Sequence, residues 1–332
     1  MSSVTGVSTV DTFGGGAEPT EGGTGRFADK AFKGAATGAG VIVVAIVTLL
    51  AVFLLSQALP SLLNNKVNFL TSREWNVDNT ADLRFGIAQL LYTTIAISLM
   101  AMVLAVPLAI GVALFLTQYA PKRLATPAAY LIDLLAAVPS IIYGLWGLSV
   151  FSGTVAPIGK WLQNTFGFIP FLAKSDTGVA GSIFVAGIVV GIMILPIVTA
   201  ISREVFAQVP TTHKEGALAL GATKWEMIRT AVLPFGKPGI ISAAMLGLGR
   251  ALGETLAVTL LLSALNTSAS FSFSIFGGGE TFASRIANDA GEFDSAQKTG
   301  AYIAAGLVLF ILTFIVNAAA RVVIDRRKAF SE

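Results

Sequence analysis

Two charged residues sit where charge is expensive. Arg250 and Glu254 occur in the run GLGRALGETLAV, inside an apolar stretch from about residue 238 to 265. An ionised side chain at the centre of a bilayer costs about 2.5–3.5 kcal/mol on insertion scales, so it faces a protein interior or a water-filled path. Four residues apart on a helix, the two share one face and can pair. The pair reads two ways: a neutralised ion pair that pins helices together, or the lining of an anion path. In the second reading the planar guanidinium fork meets a tetrahedral oxyanion, and Glu254 keeps the arginine from becoming a trap. Asp133, in an earlier apolar run, is the next intramembrane charge. It either answers Arg250 across the bundle or, only ten residues after Arg123, sits at one mouth of the path; the short spacing favours the mouth.

A third chemical signal is amphipathic rather than catalytic. The stretch KEGALALGATKWEMIRTAVLP, Lys214 to Pro234, lies between two apolar runs. Glu215, Ala217, Leu218 and Leu220 suit a short helix that Gly221 ends. Thr223 then caps a second helix, with Glu226 three residues on as the other half of a capping box. That second helix is expected to stop at Leu233-Pro234. The lone histidine, His213, is expected to be solvated beside this stretch.

The residue types also exclude chemistry. The chain has 332 residues, no cysteine and one histidine, which rules out disulfides, cysteine zinc sites, thiol nucleophiles and multi-histidine metal sites. There is no G-x-x-x-x-G-K-[ST] loop, so ATP hydrolysis by this chain is not expected. Gly277-Gly278-Gly279 has no strand-to-helix context and reads as a flexible loop. A net charge of +3 is no argument for nucleic acid.

The elements that must position these residues are membrane helices. Hydrophobic residues make up 54% and charged residues 12% of the chain, against about 25% charged in a soluble domain, and the mean hydropathy is +0.77. Six apolar runs are long enough to span, since about 20 residues cross the hydrocarbon core: about 38–59, 85–119, 124–151, 178–202, 238–265 and 299–320. Residues 1–25 read as a disordered tail, 26–37 as a basic juxtamembrane segment (a short interfacial helix or simply a flank), and 38–328 as the six-span domain, with the amphipathic stretch inside a loop at 204–237. Pro107 bends the second run. Pro139-Ser140 breaks the third, either where a path runs or as a kink without function. Residues 153–176 are expected to be a loop whose aromatics suit the interface. Arg285, Asn288 and Asp289, in a polar segment before the last run, either contact a partner or are plainly solvated. An even number of spans puts both termini on one side. Fourteen Lys and Arg fall on the side of the amphipathic loop and seven on the other, with Arg250 completing the 22. That excess makes the loop and both termini cytoplasmic.

Glu215 to Gly221 with Ala231 to Pro234 resembles the coupling loop of bacterial ABC-importer permeases: E-A-A, three residues, G, then about nine residues and I-x-L-P. Gly216 and Ala231 depart from that pattern and leave its spacing intact. R-A-L-G-E-T-L-A-V at 250–258, A-A-V-P-S-I-I-Y-G-L-W at 136–146 and F-L-T-S-R-E-W at 69–75 resemble the permeases of the phosphate-specific (Pst) importer, the last pointing to the PstC rather than the PstA type. The likeness covers about residues 26–327. It implies an all-α polytopic protein of the type I ABC-importer permease fold in the bacterial inner membrane. It further implies passage of phosphate past Arg250 and Glu254, with Asp133 a weaker candidate. Glu254 could there accept the proton that hydrogen phosphate carries and sulfate lacks. Implied partners are a second permease of the PstA type, an ATPase dimer of the PstB type, a phosphate-binding protein of the PstS type and membrane lipid. ATP and magnesium would belong to the ATPase, and no cofactor to this chain. Glu215, Gly216, Ala217, Leu220, Gly221, Leu233 and Pro234 would couple the two. The rival is an ion-coupled secondary transporter or anion channel using Asp133 and Glu254. Such folds pair broken helices, and the sequence offers one candidate break.

Overall fold

The computed structural model describes residues 24–175, 178–262 and 273–328. It divides into two units, residues 1–52 and 53–332. Of the expected tail, residues 1–23 lie outside the described residues, while Thr24 and Gly25 are already helical. They open α1 (Thr24–Asn64), so the basic segment at 26–37 is neither a separate helix nor a loose flank but the first turns of a 41-residue helix. Within the first unit its described side chains are exposed from Ala28 to Leu50. An apolar helix can stand so only where its backbone is satisfied internally and lipid meets its side chains.

The second unit is built on close helix packing. The helix α2 (Ala88–Leu114) carries Ile97, Ala101, Ala105, Ala109 and Ala113 at four-residue spacing, each at most 1% exposed. This small-residue stripe meets α6 (Ile183–Ala207), where a Cβ added to Gly191 would stand 3.3 Å from the Ala101 carbonyl oxygen. In lipid, where apolar side chains gain nothing by meeting each other, such backbone approach is a main source of helix association. Against both α2 and α6 lies α9 (Leu233–Leu252), whose Gly236, Gly239 and Gly247 fit against Phe206, Val205 and Val198 of α6. The ladder of contacts runs antiparallel.

Among the described residues, six helical stretches are long and apolar enough to cross a membrane: Ala28–Asn64, Ala88–Tyr119, Ser140–Phe166, Ile183–Ala207, Lys224–Leu252 and Ala296–Val322. The third differs from the expected 124–151. The chain forms α3 (Lys122–Ala136), breaks at residues 137–139, then runs through α4 (Ser140–Trp146), a π-turn and α5 (Ser152–Phe166). Pro139 lacks an N–H and disfavours helical Val138, which places the break. The expected loop from residue 153 is instead helical as far as Phe166. Ser149, Ser152 and Thr154 satisfy their hydroxyls on carbonyls four residues back, so they need no partner outside the helix.

The fifth stretch holds two corrections. The helix does not stop at Leu233-Pro234. After α8 (Lys224–Met227) a π-turn, Ile228–Val232, hands Leu233 N–H to the Ile228 carbonyl and leads straight into α9. Further on, α9 ends at Leu252 and a short α10 (Leu256–Leu261) follows after Gly253. This is a second break, which the sequence reading missed. α10 packs on α4, so the two broken segments lie side by side.

Outside the spans, residues 65–87 and 273–295 form a cap. It contains a two-residue ribbon, β1 (Trp75–Asn76) with β2 (Arg84–Phe85), and α11 (Phe282–Asn288), and it sits on the start of α12 (Ala296–Lys328). Phe85, Leu83, Trp75, Phe69 and Tyr302 share one apolar cluster there.

A Cβ on Gly144 would come 2.8 Å from the Ala257 Cα, a backbone atom, whereas one on Gly153 meets nothing within 4 Å. Gly144→Ala is therefore expected to lower stability by about 1–3 kcal/mol through overpacking. Gly153→Ala should be neutral or stabilising. Thermal unfolding of the purified protein in detergent checks both.

Candidate functional site

Arg250 lies in the last turn of α9. Three residues earlier, Gly247 abuts α6: an added Cβ would be 2.7 Å from Val198 and 3.8 Å from Ile194. Arg250 is thereby level with the middle of α6, half-buried. The expected pair with Glu254 is not made. Gly253 N–H still bonds the Gly249 carbonyl at 3.3 Å, but the helix has ended, and with it the shared face. Glu254, 7% exposed, turns instead to α10, where its Oε1 accepts the Ala257 N–H at 3.2 Å as a capping side chain does. Among the described residues Arg250 has no ion pair, and its buried Nε has no hydrogen-bond partner. Tyr143 lies on α4, which packs on α10 just beyond Arg250. The Tyr143 hydroxyl reaches back over the first break and donates to the Leu135 carbonyl at 3.0 Å.

Asp133 answers Arg203, not Arg250. The Arg203 Nη2 stands 3.3 Å from Oδ2 and 3.5 Å from Oδ1. Arg203 is one turn from the end of α6 that leads to the amphipathic loop, so Asp133 lies at that end of the bundle. Sequence reasoning named neither Arg203 nor Tyr143. The only signal for Arg203 was a guanidinium within one turn of an apolar run.

At that loop, α7 (Thr211–Ala219) ends in Leu220, and Gly221 follows at φ +85°, a left-handed conformation that a side chain would strain. The capping box forms: Thr223 N–H and Oγ1 both donate to Glu226 Oε2 at 2.8 Å, and Glu226 N–H donates to Thr223 Oγ1 at 3.3 Å. Met227, Ile228 and Val232 anchor the elbow in an apolar cluster with Ala217 and Leu233. Glu215, Gly216 and Pro234 face outward. Leu220 is 91% exposed, and Leu218 and Trp225 stand out beside it. The result is a rigid elbow with an apolar tip. His213 is exposed, as expected, with its ring edge-on to Phe235 at 6.3 Å.

The outer residues Arg285, Asn288 and Asp289 are not a solvated loop. Arg285 pairs with Glu280 at 2.6 Å and Asp289 at 2.8 Å, Asn288 donates to Glu280, and Tyr302 donates to Asp289 at 2.7 Å. Burial opposes the Arg285 charge, but Glu280 and Asp289 more than offset it, so its proton is held more tightly than usual. Lys298, almost wholly buried, joins Asp78 at 2.7 Å and Glu292 at 3.3 Å. The network ties the cap to α12. Among the described residues no three His, Asp or Glu side chains gather as metal ligands would.

Residues 105–329 match the family model described as "Binding-protein-dependent transport system inner membrane component". The phosphate transport system permease protein PstC 2 of Mycobacterium tuberculosis is 50% identical over 300 residues, covering 90% of this chain and 92% of that one. PstC of Mycobacterium leprae is also 50% identical, over 90% and 93%. PstC of Xylella fastidiosa is 42% identical over 78% and 79%. Among solved structures, a chain of the inward-facing MetNI methionine ABC transporter superposes with TM-score 0.52 at 15% identity, over 73% of this chain and 95% of that one. A chain of a bacterial ABC transporter for the acidic polysaccharide alginate gives TM-score 0.51 at 16% identity, over 72% and 78%. These two likenesses establish the fold.

Because Glu254 caps α10, Glu254→Ala is expected to cost about 0.5–2 kcal/mol. Glu254→Gln keeps an acceptor and should stay within about 0.5 kcal/mol of wild type. Thermal unfolding in detergent separates the two, and the glutamine variant then isolates the role of the charge.

Proposed function

This chain belongs to the binding-protein-dependent transport inner-membrane components, in the PstC group of phosphate permeases, and from that premise we propose how its residues move phosphate. It is a multi-pass inner-membrane permease subunit and not an enzyme; ATP hydrolysis belongs to a separate ATPase. Phosphate passes the half-buried Arg250 at the second helix break. The observation that carries this reading is a mid-bundle guanidinium with a buried, unpartnered N–H. A bare charge there is costly, and a passing oxyanion supplies the missing acceptor at the moment of transit. Glu254, buried one residue beyond the α9 C-cap, limits how tightly the anion is held. With no carboxylate paired to Arg250, the neutralised-pin reading loses its support.

The amphipathic loop at 204–237 faces the cytoplasm, with both termini on that side, and 38–328 forms the membrane domain. Glu215 to Gly221 seats in a groove of a PstB-type ATPase dimer, which holds the ATP and magnesium. The exposed Leu220 is its apolar anchor, and the anchored cluster of Ala217, Met227 and Leu233 carries the ATPase motion into α9 as a rigid body. Because α8, the π-turn and α9 are continuous, that motion reaches Arg250 without a hinge. A PstA-type permease completes the path, and a PstS-type binding protein delivers phosphate from outside. The domain limits, orientation and partners are part of the proposal.

In proteoliposomes holding the complete importer, Arg250→Gln is expected to cut radiolabelled phosphate uptake at least tenfold while ATP hydrolysis continues. Uptake near the wild-type rate would make the arginine structural. Leu220→Asp should leave Arg250 and the bundle intact yet lose ATPase co-purification or the coupling of hydrolysis to uptake. Normal coupling in that variant would remove the elbow from the interface.

A further inference from the structure

The Asp133–Arg203 contact has features of a site rather than a fastening. Only Nη2 of Arg203 is engaged, at 3.3–3.5 Å, longer than the roughly 2.7–2.9 Å of a strong charge-assisted bond. Nη1 is buried and has no partner. The Asp133 side chain is 47% exposed. A guanidinium matches tetrahedral oxyanions through two nitrogens at once, and here half of that fork is unused.

The location also fits. Gly247, three residues before Arg250, meets Val198 and Ile194 of α6, and Arg203 is nine residues beyond Ile194, a rise of about 14 Å at roughly 1.5 Å per residue. The first break lies between them. Tyr143 belongs to α4, which packs on α10 just beyond Arg250, and bonds the Leu135 carbonyl in the last turn before the break; Asp133 stands two residues before Leu135 in that same turn. The first break thus leads from one arginine to the other, and Pro139 keeps its backbone open.

We propose that Arg203 is the second cation of the anion path, receiving the oxyanion after Arg250 and Tyr143, with Asp133 as its exchangeable counter-ion. The inference rests on the phosphate-permease reading above. The incoming anion displaces Asp133 and takes both guanidinium nitrogens. The return of Asp133 then expels it toward the cytoplasm. Two separated cations, each with a carboxylate nearby, allow transfer without a trap at either.

The test uses the complete importer in proteoliposomes, reading radiolabelled phosphate moved per ATP hydrolysed. Arg203→Gln is expected to lower that ratio at least tenfold. Arg203→Lys, which keeps the charge without the fork, should lower it about threefold or more and serves if the glutamine variant does not assemble. Asp133→Asn should slow phosphate release severalfold while hydrolysis continues. The exchange Arg203→Asp with Asp133→Arg rebuilds the pair but moves the cation to α3, and is expected to stay defective. Wild-type ratios in both Arg203→Gln and Arg203→Lys, or full rescue by the exchange, would reduce the pair to a helix fastening. The wild-type arm is separate: no phosphate uptake there sinks the permease reading itself.

Discussion

Every backbone N–H and C=O inside a bilayer must find a partner within the protein, because lipid offers none. The two breaks in this bundle therefore need local answers. At the first, the Tyr143 hydroxyl takes up the Leu135 carbonyl. At the second, the buried Glu254 takes up the Ala257 N–H. Both breaks adjoin segments that pack on each other, α4 and α10, the second of them directly after the helix that carries Arg250. Irregular backbone at this depth is tolerated only where protein or a water-filled cavity surrounds it.

The frame around the breaks is far less yielding. Alanine and glycine faces bring α2, α6 and α9 close together: Gly191 of α6 meets the Ala101 backbone of α2, and Gly247 of α9 meets Val198 of α6, where an added Cβ would stand 2.7 Å away. The broken pair, α4 with α10, packs against α6 and meets through Gly144, with Gly147 of the following π-turn against Leu261 and Val189. The division is useful. A rigid core fixes the depth of Arg250 and Arg203, while short segments joined by breaks can shift by small amounts without unravelling a long helix.

Two further features connect this frame to its surroundings. The elbow after α6 exposes Leu220 but roots Met227, Ile228 and Val232 in the bundle, so force on the tip reaches α9 rather than dissipating in a loop. On the opposite side, Lys298 and Arg285 with their acidic partners lock the cap to the start of α12. The second is made from charged residues whose burial is acceptable only because partners are in place.

Much of this was readable in the chain. Apolar runs announced six spans and placed the second and sixth to within a turn, while the fourth came five residues early and the first, third and fifth were further off; the capping box and Gly221 elbow were legible because their signals act within a few residues. The intramembrane charges were visible by type alone. What they touch was not. The i,i+4 pairing of Arg250 with Glu254 presumes a helix that persists through Gly253, and it does not persist. The break after Ala136 moved the third span, because a proline's effect depends on whether neighbours can satisfy the freed carbonyls. Asp133 meets Arg203, 70 residues away in sequence, and Arg250 is left unpaired by the same helix arrangement. Local propensity and hydrophobicity were enough to determine the elements and the identity of the charged residues. Only tertiary structure decided their partners, because pairing depends on the relative depth and rotation of separate helices, and here the packing of glycine and alanine faces sets both.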